Sequence, residues 1–361
     1  MASSDKSHIE LLDVLRGVAV LAVIGVHVGG GATTITGEPT KWTALTDYGR
    51  CGVELFFVIS GVLMARLYVD NTNWSVKDYY LRRVGRLMPL WVLFSSVSWF
   101  GWNWIHTQIG AGPDLSGNNQ LGLTLLSIPF LGWLSPIARD WIPVGGWSVQ
   151  AEVGHYLLFP LIRKRIGMCV NILLGLQLTE YLLHKFPSVW ADGWLKLLAE
   201  GWLRLSLAST LMYFAIGFYI VVLPKMKSKD LPIPPSVAFK LILAVCFSAW
   251  IPFFAGNNIN AFAFILVATL MSYCAAQISL LKWILLRAGK YSYFMYFAHF
   301  WIILLFQVIA QNHIAHWPLA TNQTYAVMYA TVVAISALLG SISWKYFEQP
   351  FVRATRGKAR D

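Results

Sequence analysis

Three ionisable side chains lie within the first apolar segment of the chain: Asp13, Arg16 and His27. Ionisable groups are costly inside a bilayer and usually face the interior of a helix bundle or a water-filled cavity. Arg16 and His27 are eleven positions apart, which on an α-helix puts them within about 20° of one face and about 16 Å apart along the axis. They can therefore line one passage, with His27 as a candidate base. The alternative is a polar face that joins helices.

Other candidates stand at the ends of later apolar segments. Arg82, Arg83 and Arg86 lie at the start of the third one, and guanidinium groups bind phosphate through paired hydrogen bonds. The alternative is that these arginines only mark the cytoplasmic side of the membrane. Glu54 opens the second segment on the other side, at the predicted level of His27. It could orient the imidazole or hold a ligand hydroxyl, or be an ordinary interfacial carboxylate.

A metal site is not predicted. Glu152 and His155 have the i, i+3 spacing found in half of a carboxylate-bridged di-iron site. The complete site needs a second Glu-x-x-His, and the sequence contains no other.

The composition excludes several classes of protein. Of 361 residues, 57% are hydrophobic and 12% charged, against about 25% charged in soluble domains, and the mean hydropathy is +0.57. These values exclude a soluble globular protein and a disordered one. The four cysteines lack C-x-x-C spacing, which argues against a disulfide scaffold. The net charge of +11 comes from Lys and Arg that flank apolar segments, which indicates membrane topology rather than nucleic-acid binding.

We predict an all-α integral membrane protein with a bundle of about ten transmembrane helices. A further apolar stretch, 121–134, is too short to cross and is predicted to be re-entrant or interfacial on the exterior side. With that assignment, 21 of the 28 Lys and Arg fall on one side, so both termini are predicted to be cytoplasmic. The ten apolar windows are 11–30, 50–69, 87–105, 147–162, 166–184, 203–223, 237–256, 258–277, 291–310 and 325–345.

The spans leave little room for a separate domain. Residues 1–361 are therefore predicted to form a single membrane domain, in which 351–361 is a basic cytoplasmic tail. The exterior segment 106–146 is rich in Gly, Asn, Pro and Trp and is a candidate lid. The expected location is the plasma or inner membrane, with multiple spans.

The sequence resembles the membrane acyltransferase-3 family, whose members O-acylate carbohydrates and related hydroxyl compounds. Residues 12–17 leading to His27 are similar to the family's Arg-x10-His signature, and six further motifs follow in the family's order. The run after Glu152 departs from the family's longer acidic and aromatic pattern. The chain resembles the stand-alone form, without a C-terminal esterase-like domain. The six motifs are 52–61, 80–89, 147–152, 214–217, 289–293 with His299, and 348–350.

The resemblance implies a function and roles for the candidate residues. An acyl group, acetyl being the expected one, would pass from cytosolic acyl-CoA to a carbohydrate hydroxyl near the exterior face. His27 would be the general base or the acyl acceptor, assisted by Arg16 and Glu54, and no metal would take part. Arg82, Arg83 and Arg86 would anchor the CoA. The expected substrate-binding residues are Asp13, Trp147, Ser148, Glu152, Tyr291 and His299, and Trp141 is a further candidate for stacking on a sugar.

Two other functions remain open from the sequence. A carrier or flippase for a lipid-linked sugar would also need buried ionisable groups and an aromatic exterior mouth. A catalytically inactive sensor or assembly subunit is the third reading. The predicted partners are acyl-CoA, a carbohydrate or glycoconjugate acceptor and the lipid bilayer, without nucleic acid and with no prediction of oligomeric state.

Overall fold

The computed structural model describes residues 2–42, 47–68, 75–109, 143–163, 207–226, 252–313 and 317–357, with a few single positions between 165 and 175. Within these ranges the regular structure is helical and contains no strand. A 3₁₀ turn, Tyr48–Cys51, precedes the second helix, and a π-helical turn, Trp344–Glu348, joins the last two. The α-helices are α1 (Ala2–Thr36), α2 (Gly52–Tyr68), α3 (Val76–Ile109), α4 (Trp147–Ile162), α5 (Leu207–Met226), α6 (Pro252–Ala275), α7 (Ser279–His313), α8 (Thr321–Ser343) and α9 (Gln349–Gly357).

Three helical stretches in the described part of the chain are long and apolar enough to cross a bilayer: Glu10–Thr36, Ser279–Asn312 and Thr321–Thr355. Two shorter apolar helices are Thr210–Val221 and Ala263–Ala275. The expectation of an α-helical membrane protein is thereby confirmed, while the number of ten spans stays a prediction. The predicted spans 166–184 and 237–256 and the predicted lid fall mostly outside the described residues, and the segment 121–134 lies wholly outside them.

The long helices α1 and α7 run parallel and side by side. The Lys282 ammonium pairs with the Glu10 carboxylate at 2.8 Å near their N-terminal ends. Glu10 and Lys282 are 272 positions apart in the chain. His27 and His299, which contact each other further along the same two helices, are also 272 positions apart. The two helices therefore keep one register between these two contacts.

Glycines bring these two helices into backbone contact. A Cβ atom on Gly17 would collide with the carbonyl oxygen of Leu285, and one on Gly289 with the carbonyl oxygen of Asp13. Small residues permit this approach in membrane bundles, where packing rather than water exclusion holds helices together. The contact lies next to Arg16 and fixes that side chain relative to α7.

We expect Gly289→Ala to destabilise the bundle, because the added Cβ meets backbone atoms that cannot move without shifting a whole helix. Overpacking of this kind typically costs about 1–3 kcal/mol. The melting temperature in detergent measures it. The matched control is Gly30→Ala on α1, where an added Cβ meets nothing within 4 Å, so its melting temperature should stay the same or rise slightly. Equal melting temperatures for the two variants would contradict the close packing.

Candidate active site

The centre of the candidate site is a pair of histidines from α1 and α7. His27 Nδ1 lies 2.8 Å from the carbonyl oxygen of Val23, and His299 Nδ1 lies 3.0 Å from that of Met295. A carbonyl can only accept a hydrogen bond, so these contacts assign the proton of each neutral imidazole to Nδ1. His299 Nε2 is 3.3 Å from His27 Nδ1 and therefore acts as its second acceptor.

This arrangement leaves the Nε2 atom of His27 with an unshared electron pair. None of the described residues forms a hydrogen bond with that atom. His299 is fully buried, whereas His27 is partly exposed. The Phe300 ring packs on both imidazoles, with centroid distances of 4.4 Å to His27 and 4.2 Å to His299. A base in this position can take a proton from a hydroxyl group while its other nitrogen stays engaged.

A cavity with a volume of about 70 Å³ lies between α1, α2, α3, α4 and α7. Its wall is apolar on the α2 side, where Phe56 and Phe57 contribute. The histidine pair does not line it. The charged and hydrogen-bonding groups on its wall include Arg16, Arg83, Arg86, Ser60, Glu152 and Tyr156.

Glu152 organises one wall of the cavity. Its Oε1 atom accepts hydrogen bonds from the Ser60 hydroxyl on α2 and from the Tyr156 hydroxyl one turn further along α4. The Arg83 guanidinium lies over the Tyr156 ring, 5.3 Å from its centroid. These contacts join three helices around one carboxylate, so the wall is polar and fixed in shape.

The arginines predicted from the sequence separate into two groups. Arg83 and Arg86 line the cavity together with Arg16, whose Nη1 pairs with the Asp13 carboxylate at 2.8 Å. Arg82 is exposed and does not line the cavity. The cavity therefore combines three guanidinium groups, an arrangement suited to an anionic ligand.

Tyr296 forms hydrogen bonds between the cavity and the histidine pair. The Tyr296 hydroxyl donates to the carbonyl oxygen of Gly145 at 3.1 Å and accepts from the Ser148 hydroxyl at 2.7 Å. Tyr296 lines the cavity, and its ring centroid is 6.0 Å from that of His299. Tyr296 therefore connects the two halves of the site.

We expect Tyr296→Phe and Ser148→Ala each to destabilise the protein by about 1 kcal/mol, since each removes a buried hydrogen-bond partner. The double variant should cost less than the sum of the two, because both substitutions break the same bond. Melting temperatures in detergent of the four proteins give this double-mutant cycle. Additive effects would mean that the Ser148–Tyr296 hydrogen bond contributes nothing.

The remaining predicted residues lie elsewhere. Glu54 is not among the contacts of either imidazole. Gly52, which begins α2, packs against Ala19, about 12 Å below His27 along α1. Tyr291 is buried and faces Gly340 of α8, away from the cavity. Trp147 begins α4 and packs against the core without lining the cavity, and Trp141 lies outside the described residues.

Sequence reasoning missed three residues of the site: Ser60, Tyr156 and Tyr296. Ser60 lies within the motif 52–61, and its hydroxyl is bound to Glu152. The other two were signalled by spacing, because Tyr156 is one helical turn after Glu152 and Tyr296 is one turn before His299. Residues at these spacings share a helix face.

Comparison with known proteins supplies the family. A family model described as an acyltransferase domain matches residues 9–342. Acyltransferase MdmB of Streptomyces mycarofaciens is 23% identical over 363 residues, 94% of this chain and 90% of the relative. YrhL of Bacillus subtilis is 27% identical over 168 residues, 44% of this chain and 24% of the relative. No solved structure matches the chain.

A shorter match is to the peptidoglycan O-acetyltransferase OatA of Listeria monocytogenes, 30% identical over 88 residues, 23% of this chain and 12% of the relative. The chain thus spans about a quarter or less of the length of YrhL and OatA. The family model, in contrast, covers almost all of the chain, including every residue of the cavity and the histidine pair. The chain belongs to the acyltransferase-3 family.

Proposed function

We propose that the chain is an integral membrane O-acyltransferase. It moves an acyl group, with acetyl as the expected one, from cytosolic acyl-CoA to a hydroxyl of a carbohydrate or glycoconjugate at the outer side of the membrane. The observation that carries the proposal is the unshared electron pair on His27 Nε2 in the same bundle as a cavity lined by three arginines, to which Tyr296 connects the histidine pair. The names of OatA as a peptidoglycan O-acetyltransferase and of MdmB as an acyltransferase agree with it.

The proposed reaction assigns the two ends of the site to the two substrates. His27 Nε2 takes the proton of the acceptor hydroxyl, whose oxygen attacks the thioester carbonyl. The carbon–sulfur bond then breaks, and CoA leaves as its thiol after taking up a proton. Arg83 and Arg86 bind the donor's phosphates by charge-assisted hydrogen bonds. Arg16, about 16 Å from His27 along α1, serves the donor end, and Glu152 with Ser148 contacts a ligand inside the cavity.

The proposed membrane arrangement follows the sequence count. About ten spans, with both termini in the cytoplasm of a plasma or inner membrane, place α1 and α7 as the first and ninth spans. Both would then start from the cytoplasmic side, and their parallel course supports this assignment. Arg16 then lies near the cytoplasm and His27 near the outer surface.

The test compares the acyl groups of the host's surface glycans and glycosylated metabolites with and without this protein, by mass spectrometry. We expect a loss of one acyl mass from a defined glycan. The purified protein in detergent should also release CoA thiol from acetyl-CoA when that glycan is added. Unchanged acylation with altered export of a glycan would contradict the proposal and favour a carrier, which needs a sealed membrane and no donor.

A further inference from the structure

His299 has the geometry of a partner to His27 rather than of a residue that meets a ligand. Its side chain is fully buried and does not line the cavity. Its Nδ1 is bound to the carbonyl oxygen of Met295 at 3.0 Å, and its Nε2 faces His27 Nδ1 at 3.3 Å. Both nitrogens are thus engaged, and none is left for a carbohydrate hydroxyl.

The contact gains strength when His27 takes up a proton. In the neutral state His27 Nδ1–H divides its hydrogen bond between the Val23 carbonyl and His299 Nε2. When Nε2 is protonated, the whole ring is cationic, and a hydrogen bond from a charged donor is roughly twice as strong as a neutral one. His299 Nε2 therefore stabilises the protonated ring more than the neutral ring, which is what a base needs while it holds the proton.

No carboxylate takes this role among the described residues. Neither imidazole forms an ion pair or a hydrogen bond with an Asp or Glu of the described ranges. The charged residues of α1 and α7 lie at the other end of these helices, Arg16 being about 16 Å from His27 along α1, and the titratable groups described near the level of the pair are tyrosines. Tyr296 on α7 is engaged with Gly145 and Ser148, and α8 presents Tyr325 and Tyr329 to α1 at Gly25.

We propose that His299 is a positioning residue that accepts a hydrogen bond from His27 Nδ1 and stabilises the protonated form of His27 during acyl transfer. The proposal rests on the proposed function for its catalytic meaning. The hydrogen-bonded pair itself can be tested without any transfer reaction. His299 moves from the predicted substrate-binding set to a role that acts through His27.

Two substitutions separate this role from simple packing. His299→Leu fills much of the same space and removes the acceptor. His299→Gln places an amide oxygen near the position of Nε2 and keeps an acceptor. If the Leu variant does not fold, His299→Asn replaces it, because its shorter amide does not reach His27 Nδ1. Monodispersity and melting temperature in detergent identify the folded variants.

The first measurement is the carbethoxylation of His27 by diethyl pyrocarbonate, which reacts only with the unprotonated ring, followed by peptide mass spectrometry across a pH series. In His299→Leu the pH of half-maximal modification should fall by about one unit, since the protonated ring has lost an acceptor. His299→Gln should restore most of the shift. An unchanged midpoint in a folded His299→Leu or His299→Asn variant would overturn the proposal.

The second measurement is acetyl-CoA hydrolysis by the purified protein, with water as the acceptor and thiol release as the signal. We expect His299→Leu to lower kcat by about 10- to 100-fold, the range for a hydrogen bond to a charged group, while KM for acetyl-CoA stays within about twofold. Rescue by His299→Gln supports the proposal, and a rise in KM with unchanged kcat contradicts it. If wild-type protein releases no thiol from acetyl-CoA even with the glycan acceptor present, while the carbethoxylation midpoints shift, the proposed function fails and the histidine pair stands.

Discussion

His27→Ala abolishes acyl transfer and leaves donor binding intact: this is the largest effect we expect from one substitution. The Nε2 atom of His27 forms no hydrogen bond with the described residues and is the proposed base, and removal of a general base typically costs about 10²- to 10⁴-fold in rate. The arginine-lined cavity does not include His27, so the Kd for acetyl-CoA should change by less than about twofold. Thiol release from acetyl-CoA and calorimetric titration with CoA measure the two effects.

The control for His27→Ala is Thr34→Ala, a substitution on the same helix. Thr34 is exposed two turns beyond His27, and its hydroxyl donates a hydrogen bond to the carbonyl oxygen of Gly30. This variant should keep full activity and a normal melting temperature. Residual transfer by His27→Ala within about tenfold of wild type would show that another group takes the proton. Loss of folded protein in the His27 variant alone would assign His27 to the packing of the bundle.

The second large effect concerns the donor. Arg86→Ala should weaken CoA binding by about 10- to 100-fold, because Arg86 lines the cavity and its removal would delete the proposed charge-assisted hydrogen bonds to phosphate. Arg82 has the same charge and lies four positions away on α3; both side chains are exposed, but Arg82 does not line the cavity. Arg82→Ala should therefore leave the Kd within about twofold, since a single screened surface charge contributes little.

Calorimetric titration of both arginine variants with CoA shows whether the arginines bind the donor or only mark the cytoplasmic side of the membrane. Equal weakening in the two variants would mean that the cluster acts only through its total charge. Normal binding in both would remove the arginines from the donor site. Repeating the titration at high salt adds a second criterion, because screening weakens a long-range charge effect more than a direct charge-assisted hydrogen bond.

The local pattern of the first helix was sufficient to predict part of the site. The spacing of Arg16 and His27 predicted one helix with both side chains on one side, and α1 is a single helix from Ala2 to Thr36. The arginines of α3 were predicted as a group, and Arg83 and Arg86 meet Arg16 at the cavity. These features follow from helical periodicity, which determines which residues of one helix share a face.

Contacts between segments that are distant in the chain could not be predicted from the sequence. The pairing of His27 with His299 depends on the register between α1 and α7, which the backbone contacts at Gly17 and Gly289 set. The expected level of Glu54 depended on α1 ending near residue 30. Because α1 continues to Thr36 and the chain then turns back, α2 begins lower, beside Ala19. The partners of Ser60 and Glu152 also come from different helices, which periodicity does not relate.

Because α1 is uninterrupted, it sets the distance between the two ends of the site. Arg16 and His27 belong to one continuous helix whose neighbour α7 keeps the same register with it, so their separation of about 16 Å holds as long as that helix stays unbroken. The protein therefore cannot close this gap by folding around its donor. The donor must therefore be long enough to span this distance, with a flexible arm between its phosphates and its reactive carbonyl. Under the proposed function, the spacing of Arg16 and His27 on α1 determines which length of arm fits the site.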